Sequence, residues 1–357
     1  MSAIMFLLAF ALGADADRPA WSARVLLEAP RSLGGAAIGD LDPQSPGNEV
    51  TAVSANGDVW LVRRAGDDWT PERIHTSSGE LIMGAIGDAD PRYPGNEFVG
   101  VGMVAGEESL SGPGQALMVR LTDTGWETER LFVDEHMLHG VAIGDVAARY
   151  PGNEVVVCGF SHRVTLLHQE GNGYAAEVIY VGSNRQKVLT IADVIPEHDG
   201  NEIVVCGTDG NVVAIYESGL GWRHEVIFSD RAGQSRVATG SFGVLIGGDN
   251  GVVTLAQRVE QGWAHTFLAR EAGKMRGTVI ADVDERVNGD ELYACGYARR
   301  VIQLSRNEED YWVTREIYAD AKPLHHLVAG ELDADHPGAE LVACGHGGRL
   351  VLLTPVP

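Results

Sequence analysis

The sequence predicts an all-β protein, a seven-bladed β-propeller with four strands in each blade. Three observations predict this fold. A unit of about 48 residues recurs seven times along the 357-residue chain, and an aromatic residue recurs with the same count. Glycine is abundant (45 residues), and Asn-Gly and Asp-Gly dipeptides, which favour tight hairpins, separate short apolar segments without helical periodicity.

Each repeat starts with a small apolar strand that leads into an acidic loop, such as IGDLDPQSPGNEV from Ile38. The loop holds an acid and, nine residues later, a glutamate. Six repeats carry this pair: Asp40/Glu49, Asp88/Glu97, Asp145/Glu154, Asp193/Glu202, Asp282/Glu291 and Glu331/Glu340. A seventh copy near residue 239 lacks the loop, and Ser241 stands at the position of its first acid. The repeats therefore begin near residues 38, 86, 143, 191, 239, 280 and 329.

The second strand follows the glutamate, a tight turn leads to the third, and the fourth begins at the recurring aromatic residue. These aromatics are Trp21, Trp69, Trp126, Tyr174, Trp222, Trp263 and Trp312, and we expect them to pack in the core between outer strands. The last repeat stops after its third strand, so the segment from Trp21 is predicted to complete that blade and close the ring. Residues 17–357 then form a single propeller.

The N-terminus has the features of a signal peptide. The apolar run Ile4–Leu12 precedes Ala14-Asp-Ala16, an A-x-A cleavage site, although no basic residue comes before the run. We expect residues 1–16 to be removed and the protein to be exported to the periplasm or the extracellular space. No other segment reaches the length of a membrane span.

The charge of the chain makes some classes of binding partner less favourable than others. The formal net charge is −23, which disfavours nucleic acids as partners because they bind through Lys and Arg. The six acidic loops hold 21 acids and three arginines, a net charge of −18. Strand alternation places these loops on one face of the ring, so the opposite face is far less acidic.

The G-D-x-D…G-N-E loops resemble the FG-GAP/VCBS repeats of integrin-α-like propellers, and the D-x-D-P-x-x-P-G-x-E form is similar to loops of rhamnogalacturonan lyase propellers. The resemblance implies a propeller fold and Ca²⁺ bound in the loops, because clustered carboxylates supply the oxygen ligands that this ion needs. The loops here are longer than the usual family form, and several have lost acids. The candidate metal ligands are the paired acids Asp40, Asp42, Asp88, Asp90, Asp282, Asp284, Asp333 and Asp335.

The recurring glutamate has an alternative role, in which it accepts hydrogen bonds from backbone N–H groups of its own loop. We favour this structural role, because the glutamate is present even where the second acid is absent. The four cysteines, Cys158, Cys206, Cys295 and Cys344, occupy equivalent positions in different repeats, and we expect buried thiols rather than disulfides or a metal site.

Basic residues gather where the chain enters the innermost strands, on the face opposite the acidic loops. Propellers usually bind ligands at this channel mouth, and a cationic cluster there would attract an anion. The candidate ligand-binding residues are His139, Lys187, Arg236, Arg276, His325, His326 and Arg299. The three histidines could instead bind a metal, although no local H-x-x-H spacing supports that.

Two functions follow as hypotheses. The first is an exported, non-catalytic module that binds a protein or an acidic glycan at the channel, with Ca²⁺ in its acidic loops. The alternative is a lyase or hydrolase that cleaves an acidic polysaccharide at the basic channel mouth. The sequence favours the first because no catalytic motif emerges, and it leaves the oligomeric state open.

Overall fold

Twenty-eight strands arrange in seven four-stranded antiparallel sheets in the computed structural model, which describes residues 20–104, 112–307, 309–333 and 338–356. The predicted fold is therefore confirmed. The strands of blades one to three are β2 (Leu33–Gly39), β3 (Glu49–Ser54), β4 (Asp58–Ala65), β5 (Asp68–Thr76); β6 (Leu81–Gly87), β7 (Glu97–Met103), β8 (Gly114–Thr122), β9 (Gly125–Asp134); β10 (Leu138–Gly144), β11 (Glu154–Gly159), β12 (Arg163–Glu170) and β13 (Gly173–Val181).

Blades four to six repeat the same order. Their strands are β14 (Gln186–Ala192), β15 (Glu202–Gly207), β16 (Asn211–Ser218), β17 (Gly221–Ser229); β18 (Gln234–Gly240), β19 (Gly243–Gly248), β20 (Val252–Val259), β21 (Gly262–Arg270); β22 (Met275–Ala281), β23 (Glu291–Gly296), β24 (Arg300–Arg306) and β25 (Trp312–Ala319).

Blade seven closes the ring as predicted. It consists of β26 (Leu324–Gly330), β27 (Glu340–Gly345), β28 (Arg349–Pro355) and the N-terminal strand β1 (Trp21–Glu28), in the sheet order β1-β28-β27-β26. Strand β1 pairs antiparallel with β28, from Trp21 opposite Pro355 to Glu28 opposite Arg349. The outermost strand of this blade therefore comes from the N-terminal part of the chain, and its other three strands come from the C-terminal part. The ring can open at this blade only if β1 separates from β28.

Apolar side chains pack between adjacent blades rather than in one central core. The buried residues form seven hydrophobic clusters, each of which joins two neighbouring blades. In one of them, Val156 and Leu166 of blade three pack with Ile203 and Ile215 of blade four. Every strand after an acidic loop is buried along its whole length because a blade covers it on each side.

The recurring aromatics lie at the outer ends of these clusters, as predicted. Each of the seven is partly buried against one cluster. Some also reach a polar partner in the preceding blade: the indole N–H of Trp263 donates to Glu225 over 2.8 Å, and the hydroxyl of Tyr174 donates to the backbone carbonyl of Ala89 over 2.8 Å. The four cysteines are buried free thiols, which confirms that prediction too.

The asparagine of the G-N-E motif connects neighbouring blades. Its side-chain amide donates to the backbone carbonyl of the first acid in the preceding blade. These bonds run from Asn48 to Glu331 (2.8 Å), Asn96 to Asp40 (2.8 Å), Asn153 to Asp88 (3.0 Å) and Asn201 to Asp145 (3.0 Å). We refer to these contacts as the inter-blade clasps.

The clasps persist where the motif changes. In blade six, Asp290 replaces the asparagine and accepts hydrogen bonds from the backbone N–H and the hydroxyl of Ser241, over 3.1 and 2.6 Å. Ser241 belongs to the blade that lacks an acidic loop. In blade seven, Ala339 has no polar side chain, and its backbone N–H donates to the carbonyl of Asp282 over 2.9 Å. The motif thus holds the ring together on its acidic face.

Replacing Asn153 by alanine is expected to lower the free energy of unfolding by about 1 kcal/mol, because one partly exposed hydrogen bond between blades is lost. Urea denaturation of both proteins measures the change. Asn172, in the turn between β12 and β13, gives a matched Asn→Ala control, since its hydrogen bond within the described ranges uses the backbone carbonyl and not the side chain. An equal loss in both variants would contradict the role of the clasp.

Candidate functional site: the basic mouth of the central channel

The seven innermost strands, β2, β6, β10, β14, β18, β22 and β26, contact one another around the channel. Each carries a β-bulge near its start, where one residue has no partner on the second strand. The seven bulge residues are Gly34, Ile82, His139, Lys187, Ser235, Arg276 and His325. Bulges re-aim side chains and release backbone groups from the ladder, and this ring, which we term the bulge ring, defines the channel mouth.

Three cationic and polar side chains of the ring, and Lys274 beside it, converge on one carboxylate, that of Asp249. The Lys187 ammonium lies 2.8 Å from Asp249 Oδ2, and the Arg276 Nη1 lies 3.0 Å from Oδ1. Lys274 approaches Oδ2 at 3.4 Å, and the hydroxyl of Ser235 donates to Oδ1. Asp249 lies in the turn after β19, in the blade that has no acidic loop. We refer to Lys187, Ser235, Asp249, Lys274 and Arg276 as the Asp249 cluster.

The charges of the Asp249 cluster are unequal. Three cations face one anion, and over the described ranges Asp249 is the one carboxylate that pairs with any of the three. Burial alone would raise the pKa of Asp249, but hydrogen bonds from Lys187 and Ser235 and the nearby positive charges hold it well below its usual range. Burial lowers the pKa of Lys187, and the bond to Asp249 opposes that shift.

Arg236 lies directly behind this cluster and has no acidic partner among the residues that the structure describes. It is 2% exposed. Its Nη1 donates to the carbonyl of Ser235 and its Nη2 donates to the carbonyl of His325, each over 2.9 Å, and Nη2 also lies 3.8 Å from the sulfur of Met83. The guanidinium therefore reaches from blade five to blades seven and two. Burial and then the charge of Arg276 lower its pKa to about 10.

The histidines of the ring, and His326 next to it, are neutral and connect blades. His139 Nδ1 donates to the carbonyl of Lys187 over 2.8 Å, and His325 Nδ1 donates to that of Gly34 over 2.6 Å. His326 Nδ1 accepts from the backbone N–H of Ala36 over 3.0 Å. Burial and the charge of Arg236 lower the pKa of His139 and of His326 to about 3, and lower that of His325 well below its usual range.

These shifts predict acid lability. A histidine held neutral in the folded state binds its proton only in the unfolded chain, so stability is present above the unfolded pKa of about 6.5 and falls as pH decreases towards the folded value. For His326 this amounts to about 2 kcal/mol at pH 5. Urea denaturation at pH 7 and pH 5 measures this loss of stability. The comparison is His326→Asn, because the amide oxygen of asparagine can still accept the hydrogen bond from the backbone N–H of Ala36. The variant should lose less stability than the parent over this range. An equal pH slope would contradict a neutral buried imidazole.

Six of the seven predicted ligand-binding residues therefore line or directly underlie the bulge ring: His139, Lys187, Arg236, Arg276, His325 and His326. Arg299 does not join them. It lies exposed in the turn between β23 and β24, beside Arg300, Glu316 and Asp320. Lys274 and Asp249 were missed. Nothing in the repeat pattern distinguishes Asp249 from other turn residues, because the cations that it contacts lie up to 62 positions away in the chain.

Aromatic rings border the Asp249 cluster. The guanidinium of Arg276 lies 5.1 Å from the ring centre of Tyr297, and Tyr297 contacts His346 edge-to-face at 5.6 Å. His346 in turn contacts His325 at 5.6 Å. On the other side, His139 stacks with Phe160 at 5.7 Å. The channel mouth thus combines a cationic centre with apolar and hydrogen-bonding rims.

The acidic loops are organised around the recurring glutamate. In five of the six loops, one oxygen of the recurring glutamate accepts two backbone N–H bonds; Glu49, for example, accepts from Leu41 over 2.8 Å and from Asp42 over 3.1 Å. The same pairs recur at Glu97, Glu154, Glu202 and Glu291, and Glu340 accepts from Leu332. The structural role that the sequence favours for this glutamate is confirmed.

The second acid of each acid-rich loop pairs with an arginine. These pairs are Asp42 with Arg63 (2.7 Å), Asp90 with Arg92 (2.6 Å), Asp284 with Arg286 (2.7 Å) and Asp333 with Arg64. No group of three or more His, Cys, Asp or Glu side chains able to hold a metal forms among residues 20–104, 112–307, 309–333 and 338–356. The first acids Asp40, Asp88 and Asp282 give their backbone carbonyls to the clasps, and Asp335 lies outside the described residues.

To bind Ca²⁺, the second acids Asp42, Asp90, Asp284 and Asp333 would have to exchange their arginine partners for the ion. Calcium binding stays a prediction from the sequence, and melting curves with millimolar Ca²⁺ or with EGTA check it. On this geometry we expect the same melting temperature in both buffers. A drop of several degrees with EGTA would show that the arginines give way to the ion.

Comparisons with known proteins agree on the fold. No family model and no curated protein matches the chain. Among solved structures, the WD40 β-propeller domain of Doa1 is 11% identical with a TM-score of 0.64, and 95% of this chain and 97% of that chain are covered. BBS1N, solved in complex with ARL6DN, is 14% identical with a TM-score of 0.66, and 95% of this chain and 98% of that chain are covered.

No helix within the described part of the chain has the length and apolar character to cross a membrane.

Proposed function

We propose that this β-propeller is a non-catalytic binding module that engages a protein partner through an anionic group at the bulge ring. The Asp249 cluster is the observation that carries the proposal, because its three cations share a single carboxylate. A charge excess in a partly desolvated mouth attracts an anion more strongly than the same charges would in open water.

Two further observations support a protein as the source of that anion. The mouth has the aromatic and histidine rim that favours contact with a polypeptide. BBS1N, a propeller of the same fold, was solved in complex with another protein, ARL6DN. A likeness at 14% identity concerns the fold alone. The chemical group that this protein binds is therefore inferred from the residues of the bulge ring and not from BBS1N.

The experiment measures binding of a fluorescein-labelled hexaglutamate peptide by fluorescence anisotropy, with a hexalysine peptide as the charge control. The unmodified protein should bind the acidic peptide, with an affinity that falls as salt rises. Lys274→Gln should weaken this binding about tenfold, because the ammonium of Lys274 is the most exposed cation of the cluster. Arg299→Gln, which removes a basic residue from the same face but outside the ring, should leave it unchanged.

Two outcomes would contradict the proposal. Equal weakening by Lys274→Gln and Arg299→Gln would show that general surface charge, and not the cluster, attracts the peptide. The sequence-derived alternative, cleavage of an acidic polysaccharide, stays a prediction. Release of unsaturated product from a uronate polymer, abolished in a variant with alanine at His139, His325 and His326, would establish it instead. Export likewise stays a prediction, and residues 1–16 lie outside the described residues.

A further inference from the structure

The charge of the Asp249 cluster indicates more than a preference for anions in general. Lys187, Lys274 and Arg276 carry three positive charges, and Asp249 carries one negative charge. The excess equals two charges, so a single carboxylate from a ligand would leave one cation of the cluster without compensation. A dianion would balance the three cations that contact Asp249.

Arg236 adds a further charge at the base of the same site. Its Nη1 bonds the carbonyl of Ser235, and the hydroxyl of Ser235 bonds the cluster from the other side. Within the described part of the chain, the Nε groups of Arg236 and of Arg276 are both buried without a hydrogen-bond partner. Two guanidinium groups with unsatisfied N–H donors therefore flank Ser235 and make the floor of the site strongly electropositive. Two backbone carbonyls partly offset the charge of Arg236.

Two acids in neighbouring turns, Asp209 and Asp230, do not supply the missing charge. Asp209 accepts from Ser183 and Gln186, and Asp230 accepts from Asn250. Each of these carboxylates bonds to neutral groups and pairs with none of the three cations. The excess of the Asp249 cluster is therefore available to a ligand.

Hydrogen-bond donors are also more numerous than a carboxylate can use. Lys187 has three N–H groups and donates two of them, to Ser235 and to Asp249. Lys274 donates one of its three N–H groups to Asp249. The hydrogen bonds from Arg276 to Ser235 and to Asp249 use its Nη1. A tetrahedral oxyanion with three terminal oxygens matches several donors that converge from different directions, whereas the two oxygens of a carboxylate lie in one plane.

We propose that the ligand group of this site is a phosphate monoester dianion, presented by a phosphorylated serine or threonine of the partner chain. This inference rests on the proposed function and narrows it. A polynucleotide carries the same atoms, but the net charge of −23 on the whole protein would repel an extended polyanion, while one isolated dianion meets the basic mouth alone.

The test compares three labelled peptides of one neutral sequence, with phosphoserine, aspartate or serine at the central position, and measures their affinities by fluorescence anisotropy. We expect the phosphoserine peptide to bind at least tenfold more tightly than the aspartate peptide, and the serine peptide not to bind. The advantage should fall as pH decreases below the second phosphate pKa of about 6, because the monoanion then replaces the dianion. The affinity of the aspartate peptide should change much less over that range.

The variants locate the site. Arg276→Gln and Lys274→Gln should each weaken binding of the phosphoserine peptide about tenfold, and Arg299→Gln should not. Lys274 is the more exposed residue, so its variant keeps the test decisive if Arg276→Gln fails to fold. Inorganic phosphate serves as competitor, and it should displace the peptide only at concentrations well above the peptide Kd, since it lacks the contacts to the rim.

The outcomes separate the two proposals. Equal affinities for the phosphoserine and aspartate peptides, both lost in Lys274→Gln, would overturn the dianion inference and leave the proposed function in place. No binding of either acidic peptide would overturn both. Inorganic phosphate that binds as tightly as the peptide, or a labelled oligonucleotide that outcompetes it, would overturn the assignment to a phosphorylated polypeptide.

Discussion

Alanine at Glu154 is expected to lower the free energy of unfolding by about 3 kcal/mol, because two buried N–H groups lose their acceptor. One oxygen of Glu154 accepts from Val146 over 2.9 Å and from Ala147 over 3.2 Å, and the residue is 1% exposed. This blade is the best place for the experiment. Alanine already stands at its second acid position, so no ion pair with an arginine is disturbed.

The matched control is Glu154→Gln, which keeps an oxygen acceptor and removes only the charge. Burial raises the pKa of Glu154, so its ionised form costs stability as pH rises above the unfolded value, and a neutral acceptor is tolerated. We expect the glutamine variant to lose less than about 1 kcal/mol. Thermal and urea denaturation measure both. Equal losses for alanine and glutamine would show that the carboxylate charge, and not the two backbone hydrogen bonds, matters.

Asparagine at Asp249 is expected to destabilise the protein in anion-free buffer by about 2 kcal/mol and to tighten phosphate binding about tenfold. The substitution removes the one carboxylate that pairs with Lys187, Lys274 and Arg276, so their mutual repulsion is no longer offset. A bound dianion should then restore much of the lost stability. The substitution should thus weaken the fold and strengthen phosphate binding. Loss of an aspartate with a purely structural role would weaken the fold without strengthening phosphate binding.

Melting temperatures with increasing inorganic phosphate, against chloride at matched ionic strength, measure both effects. Asp209→Asn is the matched control, because Asp209 lies in a neighbouring turn and bonds to Ser183 and Gln186 rather than to cations. It should change neither the stability nor the phosphate response appreciably. If Asp249→Asn were destabilised without any gain in phosphate response, Asp249 would be a structural residue and the cluster would not be an anion site.

The sequence predicts the blades well because each repeat contains its own local signals. The glycine turns, the apolar second strand and the recurring aromatic residue act within about 48 residues, and seven copies reinforce one another. The role of the recurring glutamate follows for the same reason, since Glu49 and its partners Leu41 and Asp42 belong to one loop. The ring closure also follows, because the segment from Trp21 carries the pattern of the fourth strand that blade seven lacks.

The acidic loops show where this reasoning stops. Paired acids at Asp42 and Asp90 indicate a cation site when the loop is considered alone, and the tertiary structure brings the guanidinium groups of Arg63 and Arg92 against them. The partner of Asp42 comes from β4, outside the loop. The asparagine of G-N-E likewise contacts the preceding blade rather than its own.

By itself, the sequence determined the number of blades, the closure of the ring, the division into an acidic face and a basic mouth, and most of the residues at that mouth. Only the tertiary structure decided how those residues act together. It places Arg299 in a separate turn, brings Lys274 and Asp249 to the mouth, and gives Arg236 no acidic partner among the described residues. The physical reason is distance along the chain. A repeat encodes contacts within and between adjacent units, whereas the channel joins side chains as far apart as Met83, Arg236 and His325, whose meeting depends on the closed ring.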